Sequence, residues 1–260
     1  MSACICAEGP STPTPAPAEL VRASAVAPPV ITRTPVLAAT AWRTNGEMIA
    51  DVHRLGYVRD TDRILDATYG CGAFWRTWRP RNLVGRDRIN DPAWDYEAMD
   101  YPDASFDVTV FDPPYKLNGT PAMGAMDDRY GTVSGGTSWQ DKHAGIKRGI
   151  AESLRVVVSG GILLLKCQDQ VCSGHVRWQT IEFSQHAMER GARLVDMFHF
   201  LNGPRPQPAG RHQVHARRNF STLLILKKDA PRRINAPAIG RAFDPERTHD
   251  EPTQEVTPTL

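Results

Sequence analysis

The residues best suited to chemistry are Asp112-Pro113-Pro114-Tyr115, which come just after a largely apolar run from Phe106 to Val110. A buried strand ending there leaves a proline-stiffened turn at its carboxyl edge. Neither proline has an N–H and both have φ locked, so the turn presents carbonyls and the Asp112 carboxylate without competing donors. Such a turn suits a planar amine. Asp112 and the Pro113 carbonyl accept its two hydrogens, while Tyr115 stacks on the ring.

A second constellation precedes it. Asp66-x-x-x-Gly70-x-Gly72 follows the short apolar stretch Ile64-Leu65 and makes a glycine turn over which a ligand can approach the backbone. No Gly-Lys-Ser/Thr follows, so it is not a phosphate loop, and it lacks the dinucleotide spacing. Asp87 ends a second expected strand, Leu83–Asp87, and Asp100 a third, Tyr96–Asp100. With Asp112 these acids close four successive strands. In a parallel sheet such ends share one edge, where ligands bind at the topological switch point.

This order of acids, followed by D-P-P-Y, resembles the class I S-adenosylmethionine-dependent amino-methyltransferases, which methylate exocyclic nitrogens of adenine or cytosine. The resemblance covers roughly residues 42–228. It implies that Asp66 and the turn containing Thr68, Tyr69, Gly70 and Gly72 hold the methionine part of S-adenosylmethionine. Asp87 would then accept from the ribose hydroxyls and Asp100 from the adenine amine, with Asp112 next to both cofactor and target. Thr68-Tyr69 and Cys71 depart from the Pro, Phe and small residue common in that group, which leaves Tyr69 to pack against the cofactor.

On the target side the resemblance makes Asp112, Pro113, Pro114 and Tyr115 the catalytic set. Acceptors that favour a pyramidal nitrogen prepare it to attack sulfonium by positioning and electrostatics. A duplex base must first be flipped out to reach them. Lys116 follows directly as a candidate phosphate contact. Between Asp196 and Asp229 there is no acid, while Arg205, Arg211, His215, Arg217 and Arg218 accumulate, which reads as a nucleic-acid-binding loop. DNA is the first expected partner, giving N6-methyladenine or N4-methylcytosine, and tRNA or rRNA is the alternative. A non-catalytic methyltransferase-fold binding module is the rival of another class. No insertion is large enough for a separate recognition domain, so either specificity is short and read by the 117–141 loop and the basic loop, or a protein partner supplies it.

The elements that position these residues follow from periodicity. Thr44 or Asn45 caps a helix with Met48, Ile49, Val52 and Leu55 on one face. After the glycine turn, Ala73-Phe74-Trp75 begins another. Residues 117–141 form a long loop, and helical spacing resumes from His143 to Val158. Ile162–Cys167 is a buried strand, a helix around Trp178 to Met188 follows, and Arg193–Phe200 and Phe220–Leu226 complete the set. Strands alternating with helices predict an α/β fold. With the resemblance this becomes a Rossmann-like class I methyltransferase fold with a mostly parallel seven-stranded sheet and an antiparallel last strand. Its domain spans 39–228, between Pro- and Ala-rich residues 1–38 and a second flexible tail, 229–260.

Composition bounds the rest. The net charge of +2 makes any nucleic-acid affinity a matter of local patches. The five cysteines have no framework or zinc spacing, so reduced thiols and no metal are expected. No apolar run spans a bilayer and no signal-peptide pattern opens the chain, so a cytoplasmic protein is expected.

Overall fold

The computed structural model describes residues 37–40, 42–117, 138–203, 210 and 212–229. Most of the two predicted tails and residues 118–137 of the long loop fall outside this set.

Helix α1 (Asn45–Arg54) begins where the sequence places it: the Thr44 hydroxyl accepts from the Glu47 N–H. Its apolar face, Met48, Ile49 and Val52, is fully buried. Strands β1 (Arg63–Asp66), β2 (Asn82–Gly85), β3 (Phe106–Phe111) and β4 (Val157–Cys167) pair in parallel. Helix α2 (Trp139–Val156) leads into β4, and the chain continues through a small hairpin, β5 (Gln170–Cys172) and β6 (His175–Arg177), into α3 (Gln179–Met188). It closes with β7 (Ala192–Leu201) and β8 (Phe220–Lys228).

The main sheet has the order β2-β1-β3-β4-β8-β7, with β8 antiparallel to both neighbours. This is a Rossmann-like α/β arrangement, and it carries the expected antiparallel last strand. Alternation along each strand divides the core between the two faces. One face packs α1, Phe74 and Trp75 on Ile64, Val108, Val110, Leu164 and Ile225. The other packs α2 and α3 on Leu65, Phe111, Leu163, Leu165 and Leu224, with Ile146, Ile150 and Phe183 at the centre.

Three expectations need correction, and one element is new. The main sheet has six strands among the described residues, because Tyr96–Asp100 forms turns. The Asp95 carboxylate accepts the Glu97 N–H there, and the Ala98 N–H donates to the Asp95 carbonyl, so local bonds displace strand pairing. Arg155 of α2 then ties this segment down by donating to the carbonyls of Met99 (2.9 Å) and Tyr101 (2.7 Å). The helix expected after Gly72 is a single 3₁₀ turn, Ala73–Trp75. Helix α2 starts four residues before His143, capped by Ser138, whose hydroxyl accepts from the Asp141 N–H. The β5–β6 hairpin was not predicted at all; its tip is Ser173-Gly174, both at positive φ (52° and 75°), as a type I′ hairpin turn requires.

Candidate active site

Parallel pairing sets β1, β2 and β3 side by side, so their carboxyl ends bring three of the predicted acids to one edge. Asp66 pairs in register with Gly85 and Val110, and the Ala67 N–H continues the ladder to the Val110 carbonyl. Asp66 is buried; its carboxylate accepts from Trp75 Nε1 at 2.7 Å and from the Thr68 N–H at 3.1 Å. Burial outweighs those two donors and pushes its pKa up to about 7, with the Asp112 and Asp87 charges adding to the rise. Among the described residues it forms no ion pair.

Asp87 accepts from the Gly70 N–H (3.0 Å) through one oxygen and from the Ile89 N–H (2.8 Å) through the other. A carboxylate has about four lone-pair sites, so two remain for outside donors. Gly70 and Gly72 both have positive φ (52° and 69°). The Tyr69 ring lies over Gly72 and Gly85, and a Cβ added at Gly72 would sit 2.6 Å from the Tyr69 hydroxyl. That hydroxyl accepts from Arg79 at 2.9 Å. These residues fit a ligand with a cationic amino group and vicinal hydroxyls. Asp66 offers a buried acid lacking a cation, and Asp87 offers open acceptor sites next to Gly70, where an added Cβ would meet nothing within 4 Å.

Asp100 stands apart. It follows turns rather than a strand, its side chain is 70% exposed, and it lies 3.6 Å from Arg86 Nη2. Arg86 follows β2, pairs more closely with Asp91 (2.9 Å) and stacks on the buried Trp94. Among the described residues the Asp100 side chain therefore pairs with Arg86 and not with the other predicted acids.

The D-P-P-Y turn is fastened to the glycine turn directly. The Asp112 N–H donates to Thr68 Oγ1 at 2.6 Å, so Thr68 links the two motifs. Pro113 is buried, Pro114 half-buried, and the Pro113 carbonyl already accepts from the Tyr115 N–H at 2.7 Å; its second lone pair remains. Tyr115 is half-buried against the α2–α3 side of the core and hydrogen-bonded to Ser221. Burial pushes the Asp112 carboxyl up, and the ammonium of Lys166, 3.4 Å from Oδ2, pulls against that rise.

Lys166 is a functional candidate that sequence reasoning passed over. It is 5% exposed, at the end of β4, with its Nζ 5.2 Å from the Phe74 ring centre. A lone charge inside the apolar run Ile162–Cys167 was the signal. Gln170 and Gln179 were missed as well. Both donate to the Tyr115 carbonyl (2.7 and 2.9 Å), and Gln170 also accepts from the Leu117 N–H. Behind them, Glu182 accepts from His143 Nδ1–H (2.7 Å), which leaves His143 Nε2 to accept from Gln179 (3.3 Å).

The predicted nucleic-acid residues are only partly assembled. Arg205 and Arg211 lie outside the described residues. Lys116 is half-buried and its carbonyl accepts from Lys142. His215 Nε2–H donates to the Gly174 carbonyl at 2.9 Å, which rests the β7–β8 loop on the β5–β6 hairpin. Arg217 is exposed, and Arg218 stacks on Trp178. Among the described residues no helix is long and apolar enough to cross a membrane.

No family model matches the chain, and no curated protein matches it. Among solved structures it is similar to a candidate DNA modification methylase of Thermus thermophilus, at 17% identity and a TM-score of 0.36, over 53% of this chain and 51% of that one. The chain therefore spans about half the length of that protein, which has also been solved with S-adenosyl-L-methionine. A candidate methyltransferase of Bacillus halodurans matches at 14% identity and a TM-score of 0.43, covering 71% of this chain and 100% of that one. A chain from a complex of a methyltransferase activator and a candidate methyltransferase of Haloferax volcanii matches at 13% identity and a TM-score of 0.42, over 72% and 93%. Each of these TM-scores is below 0.5, too low to carry a function across.

Proposed function

We propose that this chain transfers a methyl group from S-adenosylmethionine to an exocyclic amine of a nucleic-acid base, with adenine N6 or cytosine N4 of DNA as the first target. The observation that carries the reading is the 2.6 Å bond from the Asp112 N–H to Thr68 Oγ1. It fixes the amine-accepting turn against the turn that fits the cofactor. Bound there, S-adenosylmethionine supplies an electrophilic methyl carbon.

The chain's own residues do the rest. Asp66 takes the ligand's ammonium group and Asp87 its hydroxyls, while Tyr69 stiffens the turn between them. Asp112 and the Pro113 carbonyl accept the amine's hydrogens and draw electron density onto the nitrogen, which is catalysis by preorganised electrostatics. Lys166 keeps Asp112 an acceptor, because a buried carboxyl without a cation tends to hold its proton. Gln170 and Gln179 hold the backbone that aims Tyr115.

The test is methyl transfer from labelled S-adenosylmethionine to unmethylated duplex DNA and to unmodified RNA in parallel, with Asp112→Ala as the blank. Label in N6-methyladenine or N4-methylcytosine from DNA supports the reading. Label in RNA alone keeps the chemistry and replaces the substrate. No cofactor binding by calorimetry on folded protein would leave a binding module instead.

A further inference from the structure

Two indole–guanidinium stacks flank the β5–β6 hairpin. The Arg177 guanidinium lies 3.8 Å from the Trp139 ring centre, and that of Arg218 lies 4.3 Å from the centre of Trp178. Trp178 is 46% exposed, although the next residue, Gln179, is fully buried and holds the Tyr115 carbonyl. An exposed tryptophan is thus anchored one residue from the support of the D-P-P-Y turn. On its far side, Gln168 donates to the Arg218 carbonyl at 3.2 Å, and His215 is bonded to the hairpin tip.

Charge on the hairpin and on the β7–β8 segment is one-sided, and the exposed acid near Trp139 in the chain is Asp141. No acid occurs between Asp169 and Glu182, nor between Asp196 and Asp229. The two flanking acids are engaged: Asp169 is buried and accepts from the Thr180 N–H, while Glu182 is taken by His143 and Lys147. Arg177 Nε is buried with no acceptor among the described residues. A surface that offers flat aromatic faces and guanidinium donors suits an unstacked base and its phosphates.

We infer that the β5–β6 hairpin and Trp178 form a stacking platform for the DNA strand that delivers the target base, with Trp178 under a neighbouring unpaired base and Arg177 and Arg218 at its phosphates. This rests on reading the D-P-P-Y turn as a target-base site. Extruding a base leaves its neighbours with a lost stacking partner, and a fixed indole next to the pocket restores one. The platform also accounts for a hairpin of two three-residue strands being held at both ends, by Gln170 at its base and by His215 at its tip.

The experiment is equilibrium binding of the full chain to a fluorescently labelled single-stranded oligodeoxynucleotide, without cofactor, across a salt series. Trp178→Ala is expected to weaken binding about tenfold or more, the usual loss on removing one base-stacking aromatic. Trp178→Phe should recover most of it. Arg177→Ala should reduce the slope of log affinity against log salt by about one. Binding by Trp178→Ala within twofold of wild type would overturn the proposal, as would a Trp178→Phe variant as weak as Trp178→Ala. The readout needs no methyl transfer. If the wild type binds through Trp178 but transfers nothing, the proposed reaction fails and the platform stands; if it methylates and Trp178 is dispensable, the platform alone fails.

Discussion

The two halves of the sheet are built to different ends. β4, β8 and β7 run 11, 9 and 10 residues, and β8 buries six in succession, Ser221–Leu226. β1, β2 and β3 run only 4, 4 and 6, and edge strand β2 buries none of its residues. Their crossovers are a single 3₁₀ turn and a run of Asp-based turns, where helices are usual. The long half is stabilised chiefly by β4 and β8, since β7 buries only Ala192 and Phe198. In the short half β1 and β3 are buried too, but they end at once in the hydrogen bonds that hold Asp66, Asp87 and Asp112. The site sits where buried strands stop short and turns take over.

If that division holds, substitutions should separate function from stability. Asp112→Ala should lower methyl transfer by roughly 10²–10³-fold or more, the scale of losing a group aimed at the reacting centre. Cofactor affinity by calorimetry should stay near wild type, while some stability is lost because the buried Lys166 ammonium loses its Asp112 partner. A parallel loss of cofactor affinity would break the comparison. Leu224→Ala, in β8 and fully buried, should do the reverse. It should cost about 2–5 kcal/mol in denaturant unfolding, with cofactor affinity of the folded fraction unchanged.

Gly85→Ala sharpens the boundary, since a Cβ there collides with the Tyr69 ring. It should cost about 1–3 kcal/mol as overpacking, together with several-fold weaker cofactor binding, because Tyr69 must leave the turn. Stability loss without any change in cofactor affinity would place Tyr69 outside the site.

A last contrast is in pH. The Asp66 carboxyl titrates at about 7 in the fold against an ordinary 3.8, so the fold prefers the neutral acid. That preference stabilises fully below about pH 4 and is lost as the pH rises through about 7. Asp66→Asn stays neutral, so its melting temperature should fall less than that of the wild type between about pH 5 and 8. Equal slopes would assign the titration to another group. His143 works with the opposite sign: burial lowers its pKa, so the stability of its neutral form is lost as the pH falls.

What was legible in the sequence follows the same division. The apolar runs of β4 and β8 and the strand before Asp112 could be read because their patterns are set by burial. The Asp66–Gly72 and D-P-P-Y turns could be read because prolines and glycines restrict the backbone locally. Tyr96–Asp100 was misread: its composition allows a strand, but Asp95 and Arg155 capture the backbone bonds a strand would need. The β5–β6 hairpin carried a signal in Ser173-Gly174 between Val171 and Val176 that went unused. Lys166, Gln170 and Gln179 act across distances of 53 residues or more in the chain. Nothing local marks such partners, since pairing of that kind exists only once the sheet is formed.

The position of β8 has a consequence for how the protein is made. It is the last strand among the described residues, yet it fills the slot between β4 and β7. While the ribosome adds the residues from Gln168 to Asn219, β4 waits with an open edge for about 3 to 10 s at usual elongation rates. Such an edge is a template for any passing strand. A chain stopped at Asn219 is therefore expected to aggregate during synthesis, and the same chain extended through Lys228 to remain dispersed.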